Sequence, residues 1–256
     1  MRRDRVSTRL VAPVIGVAVF LAAWEALVRL GDVRPFVLRA PSRIVGHVLD
    51  HPADFAAAAW VTAQHATSGA ALALVSAVAL GACLASSRFL EHAATPVLTL
   101  LQVTPFVAYI ASVVLWLGSG TRPAVFLVGI VCLPGFTFAA VDGMRGADPA
   151  ARELLRSVDA GRLEVLWRLR LPSALPSLFT AARYHVGLAL IAAYLVEGGN
   201  LADEGLGAIG RRAVALNEGD TLWAAIVVMA VLGTLGLFAV GAAQRATLHW
   251  HASQRR

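Results

Sequence analysis

Lysine is absent from this chain: all 22 basic residues are arginine, which reads as base composition rather than chemistry. Charge of either sign is scarce. Charged residues make up 15% of the 256, against about 25% in an ordinary soluble domain. Hydrophobic residues reach 58% and mean hydropathy is +0.69, a balance that excludes a water-soluble globular domain. Cysteine is nearly missing too. Cys83 and Cys132 both sit inside apolar runs, far from any C-x-x-C or Cys/His pattern. A disulfide framework and a zinc site are thereby excluded, and both thiols read as small buried hydrophobes. No Walker A loop, G-x-S-x-G elbow, H-E-x-x-H pair or glycine-rich dinucleotide turn occurs. The chain therefore has no ATPase of its own and no recognisable catalytic, cofactor or metal site.

What is present is a set of apolar runs of about 20 residues, the length that crosses a bilayer as a helix. The expected spans are 10–30, 60–85, 96–118, 124–141, 177–196 and 221–243. Tails at 1–9 and 244–256 and a long polar insertion at 144–176 complete a single domain, 1–256, with no linker or composition break. The reading is an all-α integral membrane protein with about six transmembrane helices. The basic start followed by an apolar run also invites a signal-peptide reading. That run is span-length and no convincing small-residue cleavage site follows it, so a first transmembrane helix is the expectation. The net charge of +6 needs no nucleic-acid partner, because spans with arginine-rich flanks explain it.

The insertion is the most informative stretch. Asp148 suits an N-cap and Pro149 the first helical position. Ala151, Leu154, Leu155 and Val158 then fall at i, i+3, i+4 and i+7, with Arg152, Glu153 and Arg156 off that stripe. Asp159-Ala160-Gly161 signals a turn, Arg162 to Arg170 a second short helix, and Pro172 and Pro176 cap or bend the chain as it enters the next span. The segment is helix–turn–helix, basic, and held between two spans.

This pattern resembles the coupling loop, or EAA loop, of permease subunits of ABC importers of the nitrate/sulfonate/taurine type. The residues that carry the resemblance are Gly143, Arg145, Asp148-Pro149, Glu153, Arg156, Leu171-Pro172, Ala174-Leu175-Pro176 and Arg183, and it extends from about Ala40 to the C-terminus. Ala40-Pro41-Ser42 and Gly205-Leu206-Gly207 are similar to further family segments. Two departures stand out: the family's Glu-Ala-Ala is Glu153-Leu154-Leu155, and its turn glycine is Asp159. Either Asp159 takes the left-handed conformation itself, or Gly161 does so in a shifted turn.

The resemblance implies a type I ABC importer permease fold and a loop that lies in the cytoplasm of a bacterium, beneath its inner membrane. It also implies partners: a dimer of ATPase subunits that bind ATP and Mg, a second permease copy or a sister permease, an extracytoplasmic binding protein, and membrane lipid. Glu153 would make the polar contact to the ATPase and Leu154, Leu155 and Val158 the buried area, with Arg152, Arg156, Asp159 and Gly161 completing the contact. The solute would be a nitrate-, sulfonate- or taurine-like anion, or a vitamin precursor. An ATP-independent multi-pass transporter or channel is the alternative. It predicts internal repeats and ionisable groups deep in several spans, and neither is seen.

Polar residues within the spans are the pathway candidates: Gln102, Thr104, Tyr109, Tyr194 and Glu197. Gln102-Val103-Thr104-Pro105 interrupts the third span, as either a pathway-lining break or an ordinary proline kink. Gln64 and His65 read first as an interfacial or helix-contact polar pair, with a place on a substrate path as the alternative. Glu197 is expected to pair across helices, preferably with an arginine, rather than to meet solute. Arg183 reads as a cation snorkelling to the interface.

Fourteen arginines fall on the side that carries both tails, 86–95 and 144–176, against seven on the other, with Arg183 inside a span. By the positive-inside rule that side faces the cytoplasm. Reporters fused after Arg256 or within 86–95 are therefore expected to give cytoplasmic signals, and a periplasmic signal at either place overturns the six-span topology.

Overall fold

The computed structural model describes residues 3–31, 33–34, 37–201 and 203–248, and among the described residues there is no strand. The tail from 249 onward, with Arg255 and Arg256, and the first two residues lie outside them. The helices are α1 (Arg3–Leu30), α2 (Pro41–Asp50), α3 (Pro52–Ser86), α4 (Arg88–Val103), α5 (Ile110–Leu117) and α6 (Thr121–Arg145). They continue with α7 (Pro149–Ser157), α8 (Arg162–Val165), α9 (Leu171–Val196), α10 (Leu206–Ala215) and α11 (Gly219–Thr247). Five helical stretches among the described residues are long and apolar enough to cross a bilayer, and α4 with α5 supplies a sixth only if a pair bent by 88° counts as one span.

Several boundaries differ from the sequence expectation, each for a local reason. The connection at 31–58 is largely helical, because Pro41 and Pro52 open α2 and α3 in the first turn, where a missing N–H costs nothing. Glu25 of α1 caps α2 from outside: its carboxylate accepts from the Ser42 N–H at 3.0 Å and from the Ser42 hydroxyl at 2.6 Å. The 86–95 stretch is helical too, since Ser87 breaks the chain after α3 and its hydroxyl caps α4. The third span is sharply broken at Pro105. Thr104, just before that proline, is extended (φ −74°, ψ 125°), as pre-proline sterics require, and a 3₁₀ turn, Phe106–Tyr109, leads into α5. By contrast α6 runs through Pro134 without interruption.

Helices α3, α6 and α9 form the centre, and α3 meets α6 along a stripe of small residues. Ala66, Gly69, Ala73, Ala77 and Gly81 are all buried and recur close to every fourth residue, so they form one ridge. Val128, Cys132, Phe136 and Ala140 of α6 face them within the same core. A Cβ on Gly69 would lie 2.5 Å from the Val128 Cβ and 2.8 Å from the Val125 carbonyl oxygen. At the loop end α6 and α9 approach as closely: a Cβ on Gly143 would lie 2.6 Å from the Ala174 Cα. Lipid supplies no hydrophobic drive between helices, so close packing of small residues has to hold them together. Cys132 is buried in this seam, whereas Cys83 is exposed, contrary to expectation, because it sits on the face of α3 turned away from α6.

Helix α1 lies at the rim. Its residues from Val11 to Leu21 are exposed, and it is pinned by Trp24, which stands edge-on to Trp223 of α11 at 5.8 Å. Such a surface suits lipid and not water.

The seam makes a stability prediction. Gly69→Leu forces a side chain into the Val128 side chain and the Val125 carbonyl and is expected to destabilise the detergent-solubilised protein by about 3 kcal/mol, at the upper end for overpacking. Gly187→Ala, where a Cβ meets nothing within 4 Å, is expected to be neutral or slightly stabilising. Thermal unfolding of both variants checks this; a Gly69→Leu protein that melts with the parent would refute the packing.

Candidate functional site

The helical hairpin at 144–176 is built from strong local signals. The Asp148 carboxylate accepts from the Ala150 N–H at 2.9 Å and starts α7. The helix ends in a Schellman motif: the Ala160 N–H reaches the Leu155 carbonyl at 3.0 Å and the Asp159 N–H the Arg156 carbonyl at 3.1 Å. That motif needs a left-handed residue at its turn, and Asp159 supplies it with φ 51°. Gly161 instead has φ −67° and ψ 160°, so the backbone position of the family glycine is held by Asp159 and the turn has not shifted. Helix α8 then widens into a π-turn, Leu166–Arg170, and passes directly into α9. Pro172 explains the widening, because it cannot give the N–H that a regular helix would send to Arg168.

The apolar stripe read from the sequence divides on folding. Ala151 and Leu155 are half-buried, whereas Leu154 and Val158 point outward. Leu163 and Trp167 are exposed as well, so the hairpin carries four large apolar side chains that are 67–72% exposed. The sequence reading missed these two, although their i, i+4 spacing among arginines is a detectable signal. Arg152 is half-buried; Glu153, Arg156, Asp159 and Gly161 are exposed, and Glu153 makes no ion pair in the described structure. The hairpin is moored by Arg145, which forms an ion pair with Glu91 of α4 and donates to the Leu84 carbonyl near the end of α3 at 3.2 Å.

Above the hairpin a cavity of about 680 Å³ opens between the α4–α5 break, α6 and α9. Gln102 and Thr104 line it from the break, Asp142 from α6, and Ser177, Thr180 and Tyr184 from α9. His185 forms part of its wall: its Nδ1–H donates to the Ala181 carbonyl at 2.7 Å and its ring stacks on Phe136 at 4.4 Å. The other pathway candidates lie elsewhere. Tyr109 packs beside Ile110, Leu127 and Val196, and Tyr194 packs among the residues that join α2, α3, α10 and α11.

Glu197 is fully buried at the end of the bundle opposite the hairpin. Its carboxylate accepts from the Thr62 hydroxyl at 2.8 Å, from His65 Nδ1 at 2.9 Å and from the Gly207 N–H at 3.0 Å. Thr62 in turn accepts from the Leu206 N–H at 2.9 Å. The partner is thus a histidine and a threonine of α3 rather than the expected arginine, and His65 is a helix-contact residue. Gly205 and Gly207 make room: a Cβ on Gly205 would lie 2.4 Å from the Glu197 carboxyl carbon, and one on Gly207 2.0 Å from the Tyr194 carbonyl oxygen. Thr62 carries no sequence signal, because a threonine in an apolar run looks like any other. Beyond this node an open polar basin of about 930 Å³ is lined by ionisable residues including His47, Asp54, Asp203, Glu204 and Arg212.

A family model described as "Binding-protein-dependent transport system inner membrane component" matches residues 69–249. The formylaminopyrimidine transport permease protein ThiX of Halalkalibacterium halodurans is 28% identical, with 94% of this chain and 96% of that protein aligned. The taurine transport system permease protein TauC of Escherichia coli is also 28% identical, over 91% of this chain and 87% of its own length. Among solved structures, an inward-facing conformation of the MetNI methionine ABC transporter superposes with a TM-score of 0.67 at 18% identity, covering 76% of this chain and 96% of that one. The chain belongs to the binding-protein-dependent transport system inner membrane component family: it is a multi-pass membrane permease subunit of an ABC importer, whose ATP hydrolysis is done by a separate subunit.

Proposed function

We propose that residues 144–176 are the cytoplasmic contact through which a separate ATPase drives this permease. The observation that carries this is the exposed apolar face of Leu154, Val158, Leu163 and Trp167 on a hairpin moored to α3 and α4 and continuous with α9. A membrane protein gains nothing by presenting such a face to water, and a cleft in an ATPase is a fitting cover. In this reading Glu153, Arg152 and Arg156 supply the polar contacts and Leu155 braces the hairpin from within. Asp159 holds the turn and Gly161 leaves its outer edge bare. The 14-to-7 arginine asymmetry supports a cytoplasmic hairpin and cytoplasmic termini.

Motion of the hairpin would pass into α9 and so reshape the cavity between α4, α6 and α9, a rigid-body rocking of the kind that alternates access. Gln102 and Thr104 stand on that path. Glu197, Tyr194 and Tyr109 act instead as packing that holds the opposite end. The working assembly is two permeases, this chain twice or with a sister permease, and two ATPase subunits set in lipid. The extracytoplasmic binding protein docks over the polar basin. The cargo is a small solute, either an anion such as taurine, a sulfonate or nitrate, or a vitamin precursor.

Glu153→Ala removes an exposed charge that contributes little to stability. The variant is expected to insert normally, while solute uptake and solute-stimulated ATP hydrolysis fall together by about tenfold, in line with the loss of a charged interface contact. Trp167→Ala, which truncates an apolar anchor, is expected to reduce the yield of co-purified ATPase. Unchanged uptake by a Glu153→Ala complex that assembles normally would exclude the assigned contact.

A further inference from the structure

We infer that the cavity between α4, α6 and α9 is a solute-binding subsite for a planar, amino-bearing heteroaromatic molecule, neutral or cationic, rather than for a small anion. This rests on the reading of that cavity as the transport path and narrows its cargo. Among the residues lining the cavity the sole formal charge is the Asp142 carboxylate, and no arginine lines it. The two nearest in sequence turn elsewhere: Arg145 pairs with Glu91, and the Arg183 guanidinium lies toward Gly241 of α11. A sulfonate or nitrate held here would meet that carboxylate with no arginine to offset it, which is repulsive.

Asp142 has no ion-pair or hydrogen-bond partner for its side chain in the described structure. It is exposed to the cavity, and its carboxylate is an acceptor suited to N–H groups, most of all to an amino group beside a ring nitrogen that can be protonated. Gln102 adds an amide that both donates and accepts. The Thr180 hydroxyl donates to the Pro176 carbonyl at 3.0 Å, which leaves its oxygen free to accept from the solute. These are edge-reading groups for a flat nitrogen heterocycle.

The rings supply the other half. Tyr184 stands edge-to-face against His185 at 5.5 Å and remains 74% exposed, while His185 is held by Phe136 and the Ala181 carbonyl. The wall behind Tyr184 is therefore braced while its own ring is open to stack. Volume agrees: about 680 Å³ falls in the range of roughly 300–1,000 Å³ used for drug-sized ligands, far more than a nitrate fills.

The test uses the intact permease–ATPase complex in lipid nanodiscs, without binding protein, titrated calorimetrically with formylaminopyrimidine and separately with taurine. The expected result is measurable binding of the pyrimidine and none of taurine. Tyr184→Ala and Asp142→Asn are each expected to weaken pyrimidine binding about tenfold, as loss of a stacking or a charge-assisted contact predicts. Binding of taurine in preference, binding of neither probe, or pyrimidine affinity unchanged within about twofold in both variants overturns the subsite. Recovery of the ATPase is scored in the same preparation. A complex that assembles yet prefers taurine rejects this proposal and leaves the coupling reading standing, whereas a chain that recruits no ATPase rejects the coupling reading and this proposal with it.

Discussion

The close approach of α3 and α6 along Gly69, Ala73, Ala77 and Gly81 is the constraint on which the remaining structure depends. In lipid, two apolar helices gain nothing from excluding water, so their contact rests on dispersion between closely set backbones. Once this seam is closed, both ends of α3 are placed. At one end Thr62 and His65 meet Glu197; at the other the Leu84 carbonyl meets Arg145. One row of small side chains thus fixes the geometry of the buried polar node and of the hairpin's mooring, although the two lie at opposite ends of the molecule.

A second constraint, the need to satisfy backbone groups where water is scarce, accounts for most irregularities of the helices. At Pro105 the chain turns by 88°, and just before it the Thr104 N–H and hydroxyl both donate to the Leu100 carbonyl, at 3.0 and 2.7 Å. At Pro172 the ladder widens into a π-turn instead of breaking, which keeps α8 and α9 one continuous element. The two left-handed non-glycine residues among the described residues, Asp159 and Asn217, both close Schellman motifs; the Glu218 N–H reaches the Ala213 carbonyl at 2.8 Å in the second. Asp and Asn are the residues that tolerate this backbone best after glycine, so the departure at Asp159 leaves the hairpin's geometry intact.

The cavity owes its polarity to the same irregularities. The break at Pro105 brings Gln102 and Thr104 to its wall, and the unbroken α8–α9 junction brings Ser177, Thr180 and Tyr184. A polar group left facing lipid is costly. Glu197 avoids that cost differently, by collecting a hydroxyl, an imidazole and a backbone N–H around one buried carboxylate.

The sequence alone determined that this is a helical membrane protein and that a capped, basic hairpin separates two of its spans. Those properties are local: composition, run length, an N-cap at Asp148 and spacing along α7 need no partner to be read. It also showed which positions depart from the hairpin pattern. Only the tertiary structure decided that Asp159 and not Gly161 takes the left-handed turn, because both residues are permitted there and the hydrogen bonds to Leu155 and Arg156 make the choice. Only the fold paired Glu197 with Thr62 and His65, more than 130 positions earlier in the chain, and turned Leu154 out and Leu155 in. Pairings between helices depend on which faces meet, and in a chain where nearly every face is apolar, hydropathy carries no record of that.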